Sequence, residues 1–183
     1  MTDNALPNFQ YHPDPLATGS IEASTQTCLV CSLARGFIYK GPAYAEAELI
    51  DVICPWCIAD GKAHEKFDAE FVDAAAVGDY GTWESVSEEV VAEVAYRTPG
   101  FSGWQQESWF THCSDAAQFL GRVGKQELID FGPHAIRAIK EEIAFEGEEW
   151  EGYFDSLDKD DAPTAYLFKC PHCGTFGGYS DFP

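Results

Sequence analysis

A chain of 183 residues, 45% hydrophobic and 14% aromatic, is long enough for one domain or two small ones and apolar enough to bury a core, which excludes wholesale disorder. Thirty-one acids against 11 bases leave a formal charge of −20, a field that repels nucleic acid, whose binding rests on cationic contacts to phosphate. No run of about 18 apolar residues is present, so no membrane-spanning helix is expected.

Residues 1–27 contain Pro7, Pro13 and Pro15 and little apolar periodicity, which predicts an extended arm anchored by Leu6, Phe9 and Tyr11. Cys28-Leu-Val-Cys31 and Cys54-Pro-Trp-Cys57 follow, with 22 residues between Cys31 and Cys54. A C-x-x-C turn brings two sulfurs to one side of a tight loop. Two such turns supply four soft ligands at tetrahedral angles, which suits zinc. The separation is slightly above the usual spacing of about 15–20 residues, so a small insertion is expected. Within it, Gly36 to Lys40 alternates as a short strand and Gly41-Pro42 turns the chain. Ala59 to Phe71 has the spacing of an amphipathic helix and carries His64. Asp73 to Gly81 reads as loop. Ser87-Glu88-Glu89 predicts a helix start, with a polar cap and acids near the positive end. Val90, Val91, Val94 and Ala95 form its buried stripe, and Pro99-Gly100 end it.

The stretch Tyr96 to Trp109 concentrates aromatics, amides, an arginine and glycines in a predicted loop. Trp and Arg dominate binding hot spots, and loops display them. Arg97, Trp104, Gln105, Gln106 and Trp109 are therefore candidate binding residues. The competing expectation is that Phe101, Trp104 and Trp109 plug the core beneath the loop. Ser114 or Asp115 is placed to cap a helix from Ala116 to Leu120, ended by Gly121. A short helix is predicted over Gln126 to Phe131. A firmer one starts at Pro133, with Ile136, Ile139 and Ile143 on one face. From Glu141 to Asp161 ten acids meet one base, Lys159, while Trp150, Tyr153, Phe154 and Leu157 keep helical spacing. That predicts an acidic amphipathic helix, and the order of a calcium loop is missing. Ala165 to Lys169 is a strand entering Cys170-Pro-His-Cys173, and Gly177-Gly178 is expected to bend the chain.

Two metal sites are expected from the cysteines. Cys28, Cys31, Cys54 and Cys57 make the first zinc site. Cys170, Cys173 and Cys113 offer three ligands for a second, with His112 or His172 as the fourth, or a distant His12, His64 or His134. Cys54-Pro-Trp-Cys57 and Cys170-Pro-His-Cys173 also fit the C-P-x-C of thiol–disulfide oxidoreductases. The βαβ context of that chemistry is missing around each of them. Seven cysteines is an odd number, and no apolar leader precedes Cys28, so a reducing cytoplasm is expected rather than a disulfide framework.

The fold class that follows is α+β: zinc-ribbon-like N-terminal knuckles, central helices and a C-terminal β zinc knuckle. The expected division is an arm and zinc-ribbon-like module over 1–62, a mainly helical region over 63–164, and a knuckle over 165–183 that packs back on it as one compact unit.

Five strings carry a family resemblance: Tyr11-His-Pro-Asp-Pro-Leu-Ala-Thr-Gly-Ser-Ile21, Cys54-Pro-Trp-Cys-Ile-Ala-Asp-Gly61, Lys66-Phe-Asp-Ala-Glu-Phe71, Tyr96-Arg-Thr-Pro-Gly-Phe-Ser-Gly-Trp-Gln-Gln106 and His112-Cys113. With these the chain resembles the CbrC family of bacterial proteins over nearly its whole length. That family is named for a member associated with tolerance to an E-type colicin and placed under a two-component regulator, and the resemblance implies a bacterial cytoplasmic protein. It brings no catalytic residues.

Three functions compete on these grounds. The first is a zinc-stabilised protein-binding factor in stress or colicin tolerance, whose acidic surface engages a basic protein partner. The second, less expected, is an enzyme in the Arg97–His112 region. Arg97 would hold an anion, Gln105 and Gln106 would donate hydrogen bonds, and His112 or Glu107 would serve as acid or base. The chain shows no phosphate loop, nucleophile elbow or catalytic zinc signature. The third is a regulator that works through the metal or thiol state of the Cys170 knuckle.

Overall fold

The computed structural model describes residues 5–183, so the first four residues of the predicted arm lie outside the described part. The described chain is α+β, with three small antiparallel sheets and six α-helices. The arm is anchored as its aromatics suggest. Phe9 and Tyr11 are each 3% exposed, and they enter two different apolar clusters. Strand β1 (Ile21–Ala23) then pairs with β2 (Phe37–Tyr39), Ile21 opposite Tyr39.

The helix predicted over Ala59 to Phe71 is confined to Lys62–Phe67, and a separate short helix precedes it at the second cysteine pair. Helix α1 (Pro55–Ala59) opens on a proline at its first position, where the missing N–H costs nothing. Gly61, at φ +78°, breaks the run, and α2 (Lys62–Phe67) ends at Asp68, also left-handed at φ +52°. Helix α3 (Glu88–Arg97) starts as expected: the Ser87 hydroxyl accepts the Val90 N–H at 3.4 Å, and Val94 and Ala95 are fully buried.

The largest departure follows. The predicted helix from Ala116 to Leu120 is extended. A tight hairpin of β3 (Thr111–His112) and β4 (Asp115–Ala116) leads into β5 (Gln118–Val123). Phe119, Gly121 and Val123 are buried, with Gln118, Leu120 and Arg122 between them more open. That is a period of two, the pattern of a strand. Ser114 and Asp115 sit in the hairpin rather than at a helix start. Strand β5 pairs with β6 (Thr164–Lys169), and β6 with β7 (Phe176–Asp181). Gly177 and Gly178 are therefore strand residues, not a bend. A Cβ on Gly178 would lie 2.1 Å from the Tyr166 carbonyl oxygen, and one on Gly177 would lie 2.2 Å from the Phe110 ring. The Tyr166 backbone across the sheet explains Gly178, and the Phe110 ring packed on the sheet explains Gly177.

Helices α4 (Lys125–Phe131) and α5 (Pro133–Ile143) match their predicted places, with Ile139 fully buried. The acidic stretch is not one helix. Helix α5 stops at a left-handed Ala144, and α6 (Gly147–Ser156) follows, with Trp150 buried and its glutamates in solvent. Beyond Ser156 the chain turns around Asp158, whose carboxylate accepts the N–H groups of Asp160 and Asp161.

Strand β6 sorts two cores to its two faces. Tyr166 and Phe168 join Tyr11, Val94, Trp109 and Phe119. Ala165 and Leu167 join Leu128, Ile139, Trp150 and Leu157. A third core, in the N-terminal half, gathers Ile38, Ile53, Ile58 and Phe71 around Cys28, Cys54 and Cys57. Among the described residues no helix is long and apolar enough to cross a membrane.

Candidate metal centres

The first two C-x-x-C turns converge. The ligand atoms of Cys28, Cys31, Cys54 and Cys57 all lie within 4.8 Å of one another. The Leu29 N–H donates to the Val52 carbonyl at 2.8 Å, which holds one turn against the approach to the other. The Cys54 N–H points at Cys28 Sγ at 3.3 Å, the N–H-to-sulfur contact that stabilises a thiolate. Cys28 Sγ stands 3.9 Å from Cys57 Sγ, and Cys31 Sγ 3.9 Å from Cys54 Sγ. Sulfurs at about 2.3 Å around a tetrahedral ion are about 3.8 Å apart. These spacings are far too long for disulfides. Cys28, Cys54 and Cys57 are at most 2% exposed and belong to the N-terminal core.

Thiols packed this closely affect one another's protons. Hydrogen bonds from Cys54 and Cys57 pull the Cys28 thiol far below its ordinary value, while bonding to Cys28 pushes Cys54 up to about 12 and raises Cys57 as well. The Cys28 proton leaves readily, and those of Cys54 and Cys57 are held by the charge that remains. A shared cation resolves that conflict, because coordinating thiols are deprotonated outright.

The second cluster joins residues that are far apart in sequence. His112, Cys113, Cys170 and Cys173 also place their ligand atoms within 4.8 Å of one another. The β3–β4 hairpin brings the first two, and the turn between β6 and β7 brings the others, braced by the Cys170 N–H donating to the Thr175 carbonyl and the Gly174 N–H to the Cys170 carbonyl. Cys113 Sγ is 3.7 Å from Cys173 Sγ, and His112 Nδ1 is 3.2 and 3.4 Å from the two sulfurs. Adjacent His and Cys reach one point because Cys113 and Ser114 are both left-handed, each at φ +57°. Non-glycine residues there carry about 1–3 kcal/mol of strain each. Cys170 is buried, His112 half-buried, and Cys113 and Cys173 exposed. Here the Thr175 hydroxyl is the main cause that pulls Cys173 down to about 6, and bonding to Cys173 pushes Cys113 up to about 12. Either donor set could hold a metal ion.

The other histidines considered as ligands have different partners. His172 Nε2 meets the Asp115 carboxylate at 2.7 Å. His12 is buried between the Pro99 carbonyl and the Thr18 hydroxyl, each at 2.7 Å. His64 bonds the Ala69 carbonyl and stacks on Tyr96, and His134 bonds Arg137.

The candidate binding loop is divided by the fold. Trp109 is fully buried and its Nε1–H donates to the Ala117 carbonyl, so it serves the core. Arg97 lies along α3, donating to the Ala59 carbonyl and facing Glu93. Trp104, 42% exposed, donates to the Thr164 hydroxyl. Gln105 and Gln106 line a cleft of about 300 Å³ with Asp79, Trp83, Ser108 and Glu142. Glu107 is buried beneath it, accepting from the Tyr44 hydroxyl at 2.6 Å, and burial raises its pKa. The proposed constellation of Arg97, His112 and Glu107 is thus split among three surroundings. Asp79 and Glu142 reach the cleft from a turn and from α5, and nothing local in the sequence marks them.

Comparison with known proteins places this architecture. Residues 6–182 match the model of UPF0167, an uncharacterised protein family. A UPF0167 protein of Mycobacterium bovis is 47% identical over 186 residues, spanning 99% of this chain and 96% of the relative. One from Mycobacterium tuberculosis gives the same figures, and one from Pseudomonas aeruginosa is 42% identical over 92% of this chain and 93% of its own length. No solved structure matches the chain. These findings correct the resemblance to the CbrC family: both the family and the relatives carry the UPF0167 name, and the colicin-tolerance role that came with that resemblance has no support. The chain belongs to the UPF0167 family.

Proposed function

We propose that this is a zinc protein in which the two centres do different work: a zinc-ribbon-like four-cysteine centre that holds the N-terminal half together, and a surface centre at His112, Cys113, Cys170 and Cys173 that gives up and regains its metal. One observation carries the reading. The first centre is embedded in a core, whereas two of the second centre's four ligands face solvent. Exclusion of water and chelators protects the first, and accessibility makes the second responsive to metal supply. Seven unpaired thiols fit a reducing compartment such as the cytoplasm. The test is metal content of protein purified without chelator or added zinc. Two zinc ions per chain are expected in the wild type. The double variant Cys113→Ser, Cys173→Ser should hold one and keep its fold. A wild type with no zinc, or a double variant with no zinc at all, would overturn the proposal.

A second reading concerns partners. Glu148, Glu149 and Glu151 are exposed on α6, with Asp155 paired to Lys125 and Trp150 buried, so an acidic face is open to solvent. Such a face supports capture of a basic protein, with association slowed by salt. Capture of a basic test protein that is insensitive to salt would count against it.

A further inference from the structure

We infer that Cys173 is the site at which this protein is modified by peroxides, and that Cys113 then closes a disulfide onto it. The consequence, loss of a metal from the surface centre, rests on the zinc reading above. The modification itself does not.

Three observations meet at this sulfur. Cys113 and Cys173 are the two exposed cysteines of the seven, and their sulfurs are 3.7 Å apart, so the oxidisable thiol has a second thiol within reach. Cys173 also lines a cavity of about 320 Å³ between the knuckle and α5, with Thr175 and Phe176 on one side and His134 and Arg137 on the other. A small peroxide fits that space. The Cys173 thiol donates to the Thr175 hydroxyl oxygen at 3.1 Å, so a hydroxyl stands beside the reacting atom. Arg137, bonded to His134 Nδ1 at 2.7 Å and 4.0 Å from the Glu141 carboxylate on the same wall, supplies a guanidinium to a chamber in which hydroxide must depart. Cys170 and the Cys28 cluster are buried or half-buried.

The chemistry balances with hydrogen peroxide as the only oxidant. The Cys173 thiolate attacks one peroxide oxygen, an S–O bond forms, the O–O bond breaks, and hydroxide leaves with the electron pair. The Cys113 thiolate then attacks the Cys173 sulfur, the S–S bond forms, and the sulfenic oxygen leaves as water after taking a proton. Two thiolates have lost two electrons and one peroxide has gained them. A metal held there would keep only His112 and Cys170.

The test exposes the metal-loaded full chain to graded hydrogen peroxide, with peptide mass mapping and a colorimetric zinc indicator read together. The expected first product is a Cys113–Cys173 disulfide, with one zinc released per chain while Cys28, Cys31, Cys54 and Cys57 stay unmodified. In Cys113→Ser, Cys173 should instead accumulate sulfenic and sulfinic acid. Arg137→Ala should slow the first step about fivefold, the order expected of one nearby charge. First oxidation at Cys170 or in the Cys28 cluster, or an unchanged rate of peroxide consumption in Cys173→Ser, would overturn the inference. If the disulfide forms first but no zinc was ever bound there, the inference stands and the zinc reading of that centre falls. If zinc is bound and peroxide spares Cys173, the opposite holds.

Discussion

The two cysteine clusters use the same chemistry in opposite settings. The Cys28 cluster is local: two turns 22 residues apart, closed over by Ile53, Ile58 and Phe71. The His112 cluster is assembled from a hairpin and a sheet turn about 60 residues apart in sequence, and it stands at the surface. Burial turns a metal site into part of the core, where binding energy is folding energy. Exposure leaves the same kind of site free to exchange and react. The centres should therefore respond very differently to the same kind of damage.

The largest expected effect is at the buried centre. Structural zinc contributes about 10–16 kcal/mol of apparent binding energy in zinc-finger peptides, so Cys54→Ser or Cys57→Ser should unfold the N-terminal half. Circular dichroism and thermal melting check this, and normal melting of either variant would erase the contrast between the centres. Cys113→Ser should lower the melting temperature far less.

Next comes acid. His12 sits at the junction of the arm and the loop after α3, and burial lowers its pKa from 6.5 to about 4. The Pro99 carbonyl can only accept, so Nδ1 carries the proton and Nε2 accepts from Thr18. The unfolded chain takes up a proton near 6.5 and the folded one only near 4. Stability from this group is constant above 6.5, falls by about 3 kcal/mol between 6.5 and 4, and is flat below. In His12→Asn, urea titrations across that window should show a shallower loss. Asp115 and Glu127, whose carboxylates are held below their ordinary pKa, contribute to the acid loss that remains.

Gly178→Ala should cost about 1–3 kcal/mol, because its Cβ would collide with the Tyr166 carbonyl in the sheet that carries the surface knuckle. It should loosen metal at the His112 centre and leave the Cys28 centre filled, as read by metal competition. The smallest pair of effects separates neighbouring histidines. His112→Ala should weaken the surface centre's zinc affinity at least about tenfold, since it removes a ligand. His172→Ala removes a pair between an exposed imidazole and the mostly covered Asp115 carboxylate, worth about 1 kcal/mol, and should leave zinc affinity unchanged.

The sequence was most legible where structure is local. The paired knuckles, the capped start of α3 and the proline-led α5 rest on short-range spacing, and each stands where that spacing puts it. It was least legible where pairing across the chain decides. Ala116 to Leu120 has apolar residues that suit either period, and only pairing with β3 at Ala116 and with β6 from Gln118 makes the segment extended. Gly177-Gly178 reads as a bend until Phe110 and Tyr166 are seen to leave no room for side chains. The choice of His112 over His172 depends on a left-handed hairpin tip that no spacing rule encodes. Gln105 and Gln106 were visible as an unusual loop, but their cleft partners Asp79 and Glu142 were not.

The most direct test of the contrast between the two centres is stepwise chelation of the zinc-loaded chain, following zinc release and cysteine reactivity together. One zinc should leave at low chelator, exposing Cys113, Cys170 and Cys173 to a thiol reagent. The second should leave only as the N-terminal half unfolds and Cys28, Cys31, Cys54 and Cys57 become reactive. Simultaneous loss of both ions, with all seven thiols exposed in a single step, would contradict it.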